Sequence, residues 1–263
     1  MNRSTQMGTK KRLRLDTLVV ERGLARTRSR AQALILAGRV RVNDAIATKT
    51  GLQVSNDADI SVSERDHPFV GRGALKLTHA FDQFDINVRD RLSLDIGAST
   101  GGFTDVMLHR HARHVVAVDV GRGQLDWRLR NDNRVTVMEG TNARYLTPDD
   151  FPANRRAFSC VTIDVSFISL KLILPVLPPL LTLNGDIAAL VKPQFEAGRS
   201  EVGKGGIVRD ENIHSRVVKE VIAVADTLGL AHVSTTASPI LGAEGNREFF
   251  VHLQHNNGMN SDV

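Results

Sequence analysis

The segment LSLDIGASTGGFTDVML, residues 92–108, joins an apolar run to a helical pattern through a turn of small residues. Glycines let a ligand approach the backbone, and in an open sheet the carboxyl ends of the strands are where ligands bind. Asp95, Gly97, Ala98, Ser99, Thr100, Gly101, Gly102 and Phe103 are therefore candidate cofactor contacts. The spacing Gly97-x-x-x-Gly101-Gly102 departs from the Gly-x-Gly-x-x-Gly of dinucleotide sites and disfavours a nicotinamide oxidoreductase. An aspartate facing the ligand repels phosphate and suits a cation such as S-adenosylmethionine. Asp119 ends the next apolar run, where a carboxylate accepts both hydroxyls of a ribose. Asn142, after the third run, is placed to approach an adenine edge, and reads equally well as a turn asparagine. Two later runs also end in charge, VTIDVSF at Asp164 and IAALVKP at Lys192. Each alone reads as a solvated strand end. Together, over the edge that carries the turn, they are a candidate acid-base pair, with Asp164 also in reach of the cofactor.

Positioning these residues requires strands that share one C-terminal edge. Apolar segments fall at 92–96, 115–119, 134–138, 158–163 and 186–191 and alternate with helical patterns, which predicts a doubly wound, α/β architecture with a mostly parallel sheet. Segments 231–236 and 247–253 lie close in sequence and are expected to pair antiparallel at the sheet edge, for seven strands in all. A helix pattern (Ala74, Leu75, Leu77, Ala80, Phe81, Phe84) precedes the first strand.

The front of the chain is different in charge. Residues 1–70 hold 13 Lys and Arg against 7 Asp and Glu, whereas the remainder holds 21 against 22, so the whole net charge of +5 comes from the front. A basic front module that meets a polyanion, with a nearly neutral module behind it, is the expectation. Two short helices, each stopped by a glycine (Gly23, Gly38), are read here, with Ser29 as the N-cap of the second. Short strands around Val40, Ile46, Val54 and Ile60 follow, with turn chemistry at Asn43-Asp44. Arg14, Arg26, Arg28, Arg30, Arg39, Arg41 and, at the start of the next module, Arg72 are the candidate RNA contacts.

The stretch GLARTRSRAQALILAGRVRVN resembles the S4 RNA-binding domain. Arg14-Leu15-Asp16 mimics a catalytic triplet of pseudouridine synthases, but it lies inside the first S4-like helix, which favours a cap or surface role for Asp16. Behind it, GRGALKL, DIGASTGGFTD, DVGRGQL, TNAR, DVSFISL, LVKPQFE, GGIVRD and GNREFF resemble the RrmJ/FtsJ-type 2′-O-methyltransferases, and the whole chain resembles the TlyA family, once labelled hemolysins. The resemblance implies an S4-like domain over 12–62, a linker over 63–73, a class I methyltransferase domain over 74–254 and a tail over 255–263. It further implies S-adenosylmethionine as cofactor and ribosomal RNA or ribosomal subunits as partners. The reaction implied is 2′-O-methylation of a ribose, of cytidine in the large and, as a further target, the small subunit. A Lys-Asp-Lys-Glu catalytic tetrad then falls on Lys76, Asp164, Lys192 and Glu248, of which Lys76 and Glu248 are singled out by the family pattern alone. Without it, Lys76 reads as a solvated helix lysine and Glu248 as an edge-strand charge. Lys192 is the candidate base for the ribose hydroxyl.

Other classes fare worse. A membrane-active hemolysin lacks a spanning segment, since the apolar stretch 172–183 is short and holds three prolines. An RNA-binding protein with a non-catalytic methyltransferase fold is disfavoured by the intact tetrad and turn. Composition is that of a globular chain, with no signal-like segment at residues 1–11, and one cysteine, Cys160, points to a reducing, cytoplasmic setting. His109, His111 and His114 have no acidic or thiol set beside them, so no metal is expected. The glycine-rich, basic loop after Glu196 is read as a lid over RNA, Cys160 as core filling, and Trp127 as either pocket wall or packing.

Overall fold

The computed structural model describes residues 12–62, 68–242 and 245–255. Residues 63–67 of the linker read at 63–73 and nearly all of the tail lie outside these. The chain divides into two compact units, residues 1–71 and 72–263, and each is described by itself.

In the first unit, β1 (Arg12–Arg14) leads directly into α1 (Leu15–Glu21), followed by α2 (Arg28–Leu36) and strands β2 (Val40–Val42), β3 (Ala45–Ala47), β4 (Gln53–Ser55) and β5 (Ile60–Val62). β2 lies between β3 and β5, all antiparallel, and β1 pairs with β4. Leu13 belongs to a strand and sits opposite Val54. Asn43 and Asp44, both at positive φ, form the two-residue hairpin turn between β2 and β3. Gly23 and Gly38 end the helices in the left-handed conformation. Thr27, not Ser29, caps α2: its hydroxyl accepts from Arg30 N at 3.2 Å, and Ser29 is already inside the helix. Leu15, Leu18, Val19, Ala31, Leu34, Ile35, Val40, Val54 and Ile60 form its core.

The second unit opens with α3 (Gly73–Phe84) and alternates β6 (Leu92–Ile96), α4 (Gly102–His109), β7 (His114–Asp119), α5 (Trp127–Arg130), β8 (Val135–Glu139), β9 (Phe158–Ile163), β10 (Leu181–Val191), α6 (Pro193–Glu196) and α7 (Glu211–Thr227), ending in β11 (Leu230–Ala237) and β12 (Phe249–His255). The sheet order is β11-β12-β10-β9-β6-β7-β8, with β10, β9, β6, β7 and β8 parallel and β12 antiparallel to both neighbours. β12 is thus inserted between β10 and β11 and lies inside the sheet. β10 is longer than its apolar run because a register shift between Leu181 and Asp186 lets the strand begin before the bulge. Leu94, Ile96, Val116, Val161, Ile163, Ile187, Val191 and Val251 fill the core and explain the unbroken apolar runs of the central strands.

Candidate active site

The chain winds outward from β6 to β8 and then returns to β9 on the other side of β6. This places a topological switch point between β6 and β9, where a crevice opens at the strand C-termini. Both Gly97 and Asp164 stand at that point. Asp164 N donates to Ile96 O at 2.9 Å, and a Cβ on Gly97 would run into the Asp164 carbonyl oxygen. Gly97 also has φ 86° and Gly101 φ 95°, and a Cβ on Gly101 would run into Leu129 and Leu125. Glycine is required at both for the turn to pack and to enter α4.

Asp119 receives the turn. One carboxylate oxygen accepts from Ser99 N at 2.8 Å and the other from Gly121 N at 2.6 Å, which leaves each oxygen a free lone pair. Ser99 takes φ 47° to make this contact, and its hydroxyl donates to Gln124 at 3.2 Å. Thr100 is buried and its carbonyl accepts from Asp126 N, while Phe103 is buried against Phe250. Asn142 is a turn residue whose side-chain oxygen accepts from Arg144 N at 3.1 Å. Asp95 does not face a ligand as expected. It is fully buried beneath the turn, accepting from Thr104 Oγ1 at 2.6 Å and Thr162 Oγ1 at 3.0 Å. Burial, assisted by the charge of Asp164 and opposed by the two threonines, pushes its carboxyl up to about 7.

The four tetrad positions form two ion pairs. Lys192, the residue before α6, places Nζ 2.7 Å from Asp164 Oδ1, and Lys76, on α3, places Nζ 2.5 Å from Glu248 Oε2. The pairs adjoin: the N-terminal turn of α3 abuts the Asp164 carboxylate at Gly73, and Lys76 lies one turn further along the same helix. Burial works against ionisation of Asp164, but the ammonium groups of Lys192 and Lys76 outweigh it and hold the carboxyl below its ordinary value. Glu248 is buried rather than an edge charge because β12 is an inner strand, and Gly242 gives it room, since a Cβ there would meet its carboxylate.

Three residues escaped the sequence reading. Ser166 accepts from Lys192 Nζ at 2.9 Å, two positions beyond Asp164 in DVSF. Glu139, at the end of β8, accepts from the backbone of Gly123, Gln124 and Leu125 and so shapes the loop after β7. Asn246 accepts from Val208 N and donates to Gly206 O, fastening the end of the loop that was read as a lid. Their only signal is position after a strand or beside a glycine, which many loop residues share.

Of the arginines, Arg26, Arg28 and Arg30 are exposed on the first unit, Arg41 donates to Asp44 O at 2.8 Å, Arg39 is half-buried, and Arg72 precedes α3 in the second unit. Asp16 is neither cap nor surface residue. It is fully buried and accepts from Arg14, Arg28 and Gln32, because the start of α1 turns its side chain towards α2. Trp127 stays exposed, and burial raises the Cys160 thiol far above its ordinary value, as suits core filling. Among the described residues no group of His, Cys, Asp and Glu is arranged to hold a metal ion, and no helix is long and apolar enough to cross a membrane.

Residues 69–255 match the family described as FtsJ-like methyltransferase, and residues 13–60 match the S4 domain. The chain is 47% identical over 93% of its length to the 16S/23S rRNA (cytidine-2′-O)-methyltransferase TlyA of Mycobacterium tuberculosis, covering 90% of that protein. It is 41% identical over 92% of its length to Hemolysin A of Brachyspira hyodysenteriae, covering 99% of it. A solved structure from Streptococcus thermophilus that carries a hemolysin name superposes with a TM-score of 0.73 at 44% identity, over 95% of this chain and 90% of that one. With an S4 domain ahead of an FtsJ-like methyltransferase domain and relatives of this closeness along nearly its full length, the chain belongs to the TlyA family of FtsJ-like methyltransferases.

Proposed function

We propose that the protein transfers a methyl group from S-adenosylmethionine to the ribose 2′-hydroxyl of a cytidine in ribosomal RNA. The large subunit is the expected substrate and the small subunit a further target. The observation that carries this reading is the pair of ammonium–carboxylate contacts, Lys192–Asp164 and Lys76–Glu248, beside the glycine turn at the switch point. The residues there fit the cofactor. Asp119 keeps lone pairs for ribose hydroxyls, Asp164 offers a carboxylate to a cation, and residues 97–102 contain no charged side chain. Bound there, S-adenosylmethionine supplies an electrophilic methyl on a sulfonium.

The chain's own residues handle the proton. A ribose hydroxyl is a weak acid, so its oxygen attacks readily only when a base takes the proton in line. Lys192, an ammonium beside Asp164 at rest, first releases a proton to solvent and then takes the ribose proton in line; Asp164 and Ser166 aim Nζ, and Asp164 balances the ammonium that is restored. Lys76 and Glu248 hold the second pair over the same edge, where Lys76 orients the attacking ribose. The basic first unit holds the RNA. A ribosomal substrate is consistent with a cytoplasmic protein, and the M. tuberculosis relative, named for 16S and 23S rRNA, supports both subunits as candidates.

The test is transfer of labelled methyl to purified 30S and 50S subunits by wild type and Lys192→Ala. Ribose label lost by at least about 100-fold in the variant, at unchanged thermal stability, is the expected result. Full activity in the variant would remove Lys192 from the mechanism, and label on a base would overturn the 2′-O reading.

A further inference from the structure

The strongest unassigned feature is the charge cluster of the first unit. Asp16 is fully shielded from water yet accepts five hydrogen bonds: from Arg14 Nε at 3.0 Å and Nη2 at 2.9 Å, from Arg28 Nε at 3.0 Å, from Gln32 Nε2 at 2.9 Å and from Thr17 Oγ1 at 3.5 Å. Its carboxyl is buried, but these donors outweigh burial and hold it far below the ordinary carboxylate range. The two arginines come from different elements, one ending β1 and one opening α2, and both remain about half exposed. Gly51 leaves the space that the Arg14 guanidinium occupies, for a Cβ there would lie 3.0 Å from Nη1.

The way Asp16 binds each guanidinium matters. Arg28 is held through Nε alone, so its Nη1 and Nη2 point onward, and Arg14 is held through Nε and Nη2, so its Nη1 does. Among the described residues those three nitrogens make no hydrogen bond. A guanidinium fixed from behind by a buried carboxylate loses little rotamer entropy when it grips a second anion in front.

We propose that Asp16 is a positioning residue that holds Arg14 and Arg28 as a preformed clamp for a backbone phosphate of the RNA. This rests on the reading of the first unit as RNA-binding. Removing a buried anion next to a polyanion site should, on charge alone, tighten binding. The clamp requires the opposite, because the freed arginines no longer share one geometry.

The experiment measures binding of the full-length protein to a fluorescently labelled ribosomal RNA hairpin across a salt series, for wild type, Asp16→Asn, Arg28→Lys, Arg28→Gln and the double variant Asp16→Asn/Arg28→Gln. Asp16→Asn is expected to weaken binding about tenfold despite the gained positive charge, and Arg28→Lys comparably, since lysine keeps the charge but not the fork. Arg28→Gln should cost much less in the Asp16→Asn background than in wild type. Arg28→Lys changes only an exposed side chain, so it carries the test if Asp16→Asn lowers the melting temperature of the first unit. Equal or tighter binding by Asp16→Asn, or full affinity in Arg28→Lys, overturns the clamp and leaves RNA binding intact. Failure of the wild type to bind the RNA overturns both.

Discussion

Asp16 in the first unit and Asp95 in the second are both removed from water, and their neighbours treat them in opposite ways. Asp16 faces two guanidiniums and an amide, so it stays an anion to very low pH. Asp95 faces two threonine hydroxyls with another carboxylate near by, and its carboxyl rises to about 7. Burial penalises the charge in both places; only the donors differ. Cations can offset that penalty, whereas neutral hydroxyls offset only part of it. The first arrangement locks positive charge in position at the surface of the unit, as the proposed RNA contact requires. The second suits a strand that must support a tightly packed glycine turn, since two hydrogen bonds tie β6 to β9 and α4 beneath it.

Truncation should separate the two most strongly. Asp95→Ala leaves the fully buried Thr104 hydroxyl without its acceptor and the fully buried Thr162 hydroxyl with only the Leu94 carbonyl at 3.5 Å, and is expected to destabilise the second unit by about 2–4 kcal/mol. Asp16→Ala frees two half-exposed arginines that water can solvate, and should cost the first unit about 1–2 kcal/mol. Urea or thermal melts followed by a probe in each unit measure both, and the contrast fails if the order is reversed.

The pH dependence should run in opposite directions. The folded state binds the Asp95 proton more tightly than the unfolded chain does, so its stabilising contribution is full below about pH 4 and is lost as pH rises towards 7. For Asp16 the folded carboxyl is the stronger acid, so its contribution is present above the ordinary value of 3.8 and is lost only as pH falls below it. Melting temperatures of wild type and Asp95→Asn between pH 4 and 8 should therefore lie close together at the lower end and separate at the upper end, the wild type losing a few degrees that the variant does not lose. Parallel curves would show that Asp95 does not titrate in this range and would overturn the raised carboxyl. The smallest effect expected is that of Asp95→Asn at pH 5, within about 1 kcal/mol of wild type, because an amide replaces a carboxylic acid that already donates and accepts.

Much of this architecture is written locally. The five central strands are runs of Val, Ile, Leu and Ala because both sheet faces are covered, and the alternation with helices makes the sheet parallel. Gly23 and Gly38 mark the helix ends, and the turn from Gly97 to Gly102 shows itself by composition, since positive φ and close packing admit little else. Asp164 and Lys192 were likewise legible, as the first charges after apolar strands that end at one edge.

What the residues alone left open depends on partners distant in the chain. Lys76 and Glu248 are 172 positions apart, and no local pattern marks either; they meet because β12 enters the sheet between β10 and β11. The same insertion turned Glu248 from a surface charge into a buried one. Asp16 departs from its expected cap or surface role for the same reason, since its burial is decided by α2 folding back with Arg28 and Gln32, not by its place in α1. Periodicity and turn chemistry report on neighbours along the backbone, so element positions and the glycine turn were determined by the sequence itself. Charge state and pairing depend on desolvation and on which donors the tertiary fold brings close, and those were decided only when the sheet order and helix packing were formed.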